Sequence, residues 1–277
     1  MKIAVYSRDG GVLGNPRFVS MKERLEAASF SFYDLAPDGD VLEGTDMVLS
    51  VGGDGTFLSA SMRVGRTGVP VLGVNMGRVG FLSEYSPEEA YESLLGGAYS
   101  FEERELLETR VCGGIFDSDP SFCPYTLNEI SVLRSGAAIL GIDISIDGNP
   151  LPTYWADGLL VATSSGSTAY SLSVGGPICS PDSKVLIIAP IAPHNLNVRP
   201  LVVPDTTRIR ISMQSRDESV TMSMDNRNVA LPASAALEVK VAQFSLKKVR
   251  LENSSFFKAL TTKLFWGEDI RNGREQR

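Results

Sequence analysis

Residues 49–60 read LSVGGDGTFLSA. An apolar strand runs into Gly52-Gly53-Asp54-Gly55-Thr56, and a helical pattern follows at once. Glycines let the backbone turn tightly and come close to a ligand, because no Cβ stands in the way. The N–H groups of such a turn, with a helix N-terminus behind them, attract phosphate. A second reading stays open for the bare loop: a tight strand-to-helix turn with Asp54 as its N-cap. Its place at the carboxyl end of a parallel strand, where open α/β sheets bind ligands, favours function. No GK[ST] follows, so it is not a Walker loop, and it is not GxGxxG.

Upstream, KIAVYS is a short apolar run, and Asn15-Pro16 looks like an N-cap with proline at the first helical position. The helix it opens runs through Met21, Leu25 and Ala28, and SFYDL and DMVLSV read as strands. Downstream, TFLSASMRV reads as a helix, VPVLGVN as a strand, and SPEEAYESLLGG as a helix closed by glycine. Strands alternating with helices imply a parallel sheet covered on both faces. Residues 1–100 are therefore expected to form an α/β domain of the doubly wound kind.

From residue 101 the pattern changes. ELLETRVCGG, YTLNEISVLR and ILGIDISIDG are strand-like, and Ile142, Ile144 and Ile146 share one face. Further strands are expected near KVLIIAPI, TRIRISM, ESVTMSM, ALEVKVA and LKKVRLE, so residues 101–253 read as a β-rich domain. The run SSFFKALTTKLFWG is amphipathic, with Phe257, Leu260 and Leu264 on one face. A terminal helix, 254–277, is expected to join the first domain.

Composition narrows the function. Of 277 residues 43% are hydrophobic and 21% charged, which excludes disorder. No apolar run approaches the roughly 18 residues of a membrane span. The N-terminal apolar stretch is too short for a signal peptide, so a cytoplasmic location and no membrane partner are expected. Cys112, Cys123 and Cys179 are odd in number and form no CxxC, which argues against disulfides and a thiolate zinc site. The single histidine, His194, excludes a multi-histidine metal site. A net charge of −7 disfavours nucleic acid as a partner. Residues 247–277 run against that average, with eight Lys and Arg against four Asp and Glu.

Three further stretches carry chemistry. Residues 73–82, GVNMGRVGFL, offer Gly77 and Gly80 for a second bend near the first, and Phe81 either stacks on a planar ring or serves the core. Asn128-Glu129 lie in a strand-like run, where vicinal ribose hydroxyls would satisfy an amide and a carboxylate, unless the strand is an edge with solvent-facing polar groups. Residues 155–177, WADGLLVATSSGSTAYSLSVGGP, combine a strand, a Ser/Gly turn, a helix start and Tyr170. A serine hydrolase is disfavoured, because GxSxG is absent.

The GGDGT loop resembles the phosphate-binding signature shared by NAD kinases, diacylglycerol and sphingosine kinases and 6-phosphofructokinases. With NE (128–129), DGLLVATSSGSTAYSLSVGGP (157–177), APIAPHNLNVRPLVVP (189–204) and KLFWGEDIR (263–271), the chain resembles the NAD kinase family over most of its length. The resemblance implies phosphorylation of the adenosine 2′-hydroxyl of NAD to give NADP, with ATP or polyphosphate as donor. It implies a Rossmann-like N-terminal domain, a β-sandwich-like C-terminal NAD-binding domain, and a homodimer or homotetramer. Asp54 would be the catalytic carboxylate, with Gly52, Gly53, Gly55 and Thr56 shaping the phosphate loop. Asn128 and Glu129 would bind ribose and adenine, and Asp157 would meet the nicotinamide end. Thr168, Ala169, Tyr170 and Ser173 would hold the adenine and ribose portions, and Ala192 would line the pocket. Mg²⁺ or another divalent cation would arrive with ATP, since no metal cage is evident. Ser164 replaces a proline frequent in the family, Asp225-Asn226-Arg227 a DGQ- or DSQ-like triplet, and Trp155 a basic residue. Arg227 could meet phosphate there. A lipid kinase would call for a basic or apolar membrane face, and a non-catalytic nucleotide sensor for an altered Asp54.

Overall fold

The computed structural model describes residues 1–77, 80–113, 116, 119, 122–252 and 254–267. Arg78 and Val79 of the second glycine segment, and residues 268–277 of the expected terminal helix, lie outside these. The chain forms two compact units. One holds Met1–Arg63, Val69–Glu102 and the described residues from Lys248 onward, and the other Val64–Gly68 and Glu103–Lys247.

The first unit opens with β1 (Lys2–Tyr6), α1 (Pro16–Ala27), β2 (Ser31–Asp34), β3 (Met47–Val51), α2 (Asp54–Val64), β4 (Val71–Val74) and α3 (Pro87–Gly96). Its strands lie in the order β2-β1-β3-β4, all parallel. Every residue of β3 is buried, as expected of a strand covered on both faces. Helix α1 starts as its sequence predicts: Asn15 accepts from the Arg17 amide, and Pro16 takes the first turn. Phe18, Met21 and Leu25 then recur at helical spacing and bury one stripe. A reciprocal Ser86–Glu89 box opens α3, and Gly97, at φ 67°, closes it. After β1 the chain goes to β2 on one side, and β3 and β4 add on the other. The strand order therefore reverses at β1 and β3, the crevice where such sheets bind ligands.

Strand β5 (Tyr99–Cys112) carries the chain into the second unit. There follow β6 (Tyr125–Thr126), β7 (Glu129–Arg134), β8 (Leu140–Ile146), β9 (Asn149–Pro150), β10 (Tyr154–Ala156), β11 (Gly158–Thr163), the short α4 (Tyr170–Ser173), β12 (Val185–Ile191) and β13 (Leu201–Pro204). Next come β14 (Ile209–Gln214), β15 (Ser219–Met224), β16 (Arg227–Pro232) and the long β17 (Ala236–Leu251), whose end belongs to the first unit. One antiparallel sheet runs β13-β12-β11-β7-β15-β16. A second layer pairs β10, β8, β14 and the start of β17, again antiparallel. Ile130, Val132, Leu159 and Val161 of the first sheet share a core with Ile142, Ile144, Ile209 and Ile211 of the second. The alternate residues of β11, Leu160 and Ala162, bury with Ile187 and Ala189 on the other face, under Tyr170 and Val174. These two layers form the sandwich that the family resemblance implies.

Several elements differ from the sequence reading. The two strands expected around residues 236–252 are one, β17. Strands β13 and β16 appear where no strand was expected, one bounded by prolines and the other formed by a hairpin with β15. Helix α5 (Phe256–Leu264) is rotated from its expected face: Phe257 is 68% exposed, while Ala259 is buried. Phe256 instead stacks toward Phe81, with Lys263 beside it, one helical step from the aliphatic stripe.

Candidate active site

In the first unit the site is built on the β3–α2 junction. Gly52 adopts φ 149°, and a Cβ there would stand 2.5 Å from Thr56 Oγ1, so glycine is required. The amides of Thr56 and Phe57 turn back onto the Gly53 carbonyl and start α2. Gly53 is exposed, and Gly55 faces the Arg8 guanidinium, which follows β1. A glycine loop, a helix N-terminus and a cation thus meet at the switch point of the sheet.

Asp54 is the first residue of α2, and its carboxylate is held by main chain. Oδ1 accepts from the amides of Leu82 at 3.0 Å and Ser83 at 2.8 Å, and Oδ2 from Phe81 at 2.9 Å. A carboxylate has about four acceptor directions, so this set leaves one on Oδ2. Gly80 makes the arrangement possible, since a Cβ there would fall 1.9 Å from Asp54 Oδ1. The second glycine segment therefore does bend beside the first. Phe81 is half-buried against Phe256, with ring centroids 6.3 Å apart.

In the second unit the strand-like run at 125–134 is interrupted. Leu127 and Asn128 fall between β6 and β7, so they do not alternate as a strand would. The cause is Asp225, which the sequence reading left without a role. Its carboxylate accepts from the amides of Leu127 (2.9 Å), Asn128 (2.8 Å) and Glu129 (3.3 Å). Asp225 sits at φ 51° in the β15–β16 turn. Arg227 donates to the carbonyls of Cys123 and Tyr125, both at 2.7 Å, so its guanidinium is engaged by main chain rather than held out for phosphate.

This break turns both Asn128 and Glu129 into the interior, 7% and 8% exposed, with Glu129 opening the central strand β7 and Asn128 just before it, rather than on an edge. Thr163 clamps them from β11: its hydroxyl donates to the Leu127 carbonyl and accepts from the Gly166 amide. Gly166 touches the same point, for a Cβ would lie 2.2 Å from the Asn128 carbonyl oxygen. Burial first, then the nearby Asp225 charge, push the Glu129 carboxyl up to about 8, against a backbone bond from Tyr170. Its Oε2 is buried without a partner among the described residues. The structure thus brings Asn128, Glu129 and the 165–170 turn together, with Thr168, Ala169 and Tyr170 half-buried on that turn. The Ser164 and Ser167 hydroxyls bond the carbonyls of Pro181 and Cys179. Ser173 is exposed at the end of α4, and Ala192 is exposed at φ 46°. Asp157 pairs with Arg134 at 2.7 Å, and Trp155 is an exposed neighbour of Asn195.

A glycine loop with a main-chain-held carboxylate in one unit, and buried polar groups on the antiparallel sheet of the other, is the pattern of a nucleotide-dependent phosphotransferase. Residues 20–96 match the ATP-NAD kinase N-terminal domain, and residues 127–251 match the ATP-NAD kinase C-terminal domain. The chain belongs to the NAD kinase family, whose members phosphorylate NAD to NADP. It is 45% identical to the NAD kinase of Bacteroides fragilis over 82% of this chain and 78% of that protein. It is 43% identical to the NAD kinase of Porphyromonas gingivalis over 83% and 79%. An NAD kinase from Archaeoglobus fulgidus in complex with ATP superposes with TM-score 0.77 at 26% identity, covering 96% of this chain and 99% of that one. Yeast NADH kinase complexed with NADH gives TM-score 0.83 at 23% identity, over 97% and 88%, and shows the shared fold.

Proposed function

We propose that Asp54 receives the proton of the adenosine 2′-hydroxyl of NAD while that oxygen attacks the γ-phosphorus of ATP. The O–P bond forms, the bond to the β-phosphate bridging oxygen breaks, ADP leaves, and the proton passes from Asp54 to solvent. The observation that carries this reading is the single acceptor direction left on Asp54 Oδ2, with the other three taken by Phe81, Leu82 and Ser83. Three fixed donors hold the carboxylate so that no reorganisation is needed when the hydroxyl arrives. Gly52, Gly53, Gly55 and Thr56 receive the phosphates on main-chain N–H groups and the start of α2, with Arg8 adding charge. A divalent cation comes with ATP and neutralises the transferring phosphoryl group. Among the described residues no group of three or more His, Cys, Asp or Glu is placed to hold a metal, so the ion is written as part of that substrate.

The nucleoside is read by Asn128 and Glu129, by Thr168, Ala169, Tyr170 and Ser173, and by Ala192, with Asp157 toward the nicotinamide end and Phe81 beside the reacting ribose. The orphaned Glu129 Oε2 supports this, because a buried acceptor without a donor costs about 1–3 kcal/mol until a ligand supplies one. The functional division proposed is a phosphate-loop domain, 1–100 with 254–277, and an NAD-binding domain, 101–253. The three free cysteines support a cytoplasmic setting. No helix among the described residues is long and apolar enough to cross a membrane. Exposed Leu196, Leu201 and Val202 at edge strand β13 support a homodimer or homotetramer. Polyphosphate is a second donor to assay, because the loop recognises phosphate alone.

Asp54→Asn tests the reading. The variant should bind NAD normally by calorimetry and lose about 10²- to 10⁴-fold in kcat for NADP formation. Near-normal turnover would overturn the role.

A further inference from the structure

Helix α5 gives no group to the phosphate loop, yet it grips the segment that holds Asp54. Phe256 lies 6.3 Å from Phe81, and the Lys263 ammonium stands 4.7 Å from the Phe81 ring centroid. The same ammonium donates to the Gly80 carbonyl oxygen. That carbonyl and the Phe81 N–H belong to one peptide unit, and the Phe81 N–H donates to Asp54 Oδ2 at 2.9 Å. The amide is conjugated, so a cation at its oxygen draws electrons from its nitrogen and strengthens the N–H as a donor. Cation, carbonyl, amide and catalytic carboxylate form one unbroken chain. Glu84, whose charge reaches Lys263, is itself engaged by Lys248 at 2.7 Å.

We propose that Lys263 is a positioning residue for phosphoryl transfer: through the Gly80–Phe81 peptide it fixes and polarises the bond that orients Asp54 Oδ2 toward the ribose hydroxyl. The inference rests on the assignment of Asp54 as the proton acceptor. It makes the C-terminal helix a working part of the kinase centre, and it explains why a cation is half-buried beside the aliphatic stripe of that helix. Burial lowers the proton affinity of Lys263, with Glu84 and Asp54 opposing and Lys248 reinforcing. Glu89, Glu92, Glu252 and Lys258 line the same cavity of about 290 Å³ beside it.

The test is steady-state NADP formation by Lys263→Met, Lys263→Gln, Lys263→Arg and Asp54→Asn in the full chain, with thermal unfolding of each. Lys258, exposed on the same helix, provides the control Lys258→Met. Lys263→Met and Lys263→Gln should lose about 10- to 100-fold in kcat, with KM for NAD and for ATP within about threefold of the parent. Lys263→Arg should keep kcat within about threefold, and its alkaline limb should move to higher pH, because a guanidinium keeps its proton. Lys258→Met should match the parent. Unchanged kcat in either uncharged variant overturns the proposal. So does a loss that Lys263→Arg shares, or one confined to KM. If Lys263→Met does not fold, Lys263→Gln decides alone, since it keeps a donor and removes only the charge. Persistent turnover in Asp54→Asn would instead sink the assignment of the base, whatever Lys263 does.

Discussion

Asp54 and Asp225 use their carboxylates alike: each gathers three consecutive main-chain amides and so freezes a bend that no repeating structure would make. Asp54 was legible because it sits in a recognisable loop. Asp225 was not, because its partners lie about a hundred residues away and nothing local marks the contact. Asp225→Ala should cost about 2–4 kcal/mol by urea unfolding and raise KM for NAD more than it lowers kcat. Glu129 adds a pH signature. Its carboxyl is pushed up to about 8 in the folded chain from an ordinary 4.5, so the folded state holds more protons between those values. Stability from this group is full below 4.5 and is lost as pH rises through 8. Glu129→Gln should flatten that fall in thermal midpoint between pH 5 and pH 8, and a slope unchanged from the parent would refute the assignment.

At the scale of elements, caps and periods were readable where the signal is local. Asn15-Pro16 and the closing glycine of α3 bound their helices as the sequence predicts, and the Ser86–Glu89 box is a local signal of the same kind. Strand β7 was misread at its start, since Leu127 and Asn128 look like strand residues until Asp225 bends them. Helix α5 was misread in azimuth: its leucine stripe predicts one face, and the Phe256–Phe81 contact selects another. Gly166 shows how closely elements meet, with room for no Cβ against the Asn128 carbonyl. Gly166→Ala should therefore cost about 1–3 kcal/mol in unfolding experiments and weaken NAD binding, because the turn must move off Asn128. Unperturbed NAD affinity would show that turn and strand are not coupled.

For the whole molecule, length and alternation predicted an α/β part followed by a β-rich part, and both are present. The sequence could not show that the last described residues return to the first unit, because that requires the partner of α5 to be known. The edge strand β13 has its Leu201 and Val202 uncovered, and Leu196 nearby is 87% exposed. An uncovered apolar edge favours self-association. Light scattering should show a multiple of the 29.9 kDa chain, and Val202→Glu should shift the mass toward a single copy. A monomeric parent would remove the proposed oligomer and leave the chemistry untouched.

Cys179 makes the 165–170 turn, proposed to hold the nucleoside, into something that can be watched. Its N–H and carbonyl both bond the Ser167 hydroxyl, at 3.0 and 3.2 Å, and burial pushes its thiol up, so little thiolate forms at neutral pH. Alkylation of this sulfur by iodoacetamide is therefore slow at neutral pH. Slower modification with NAD present, followed by mass spectrometry on unlabelled protein, would give a footprint of occupancy without any tag.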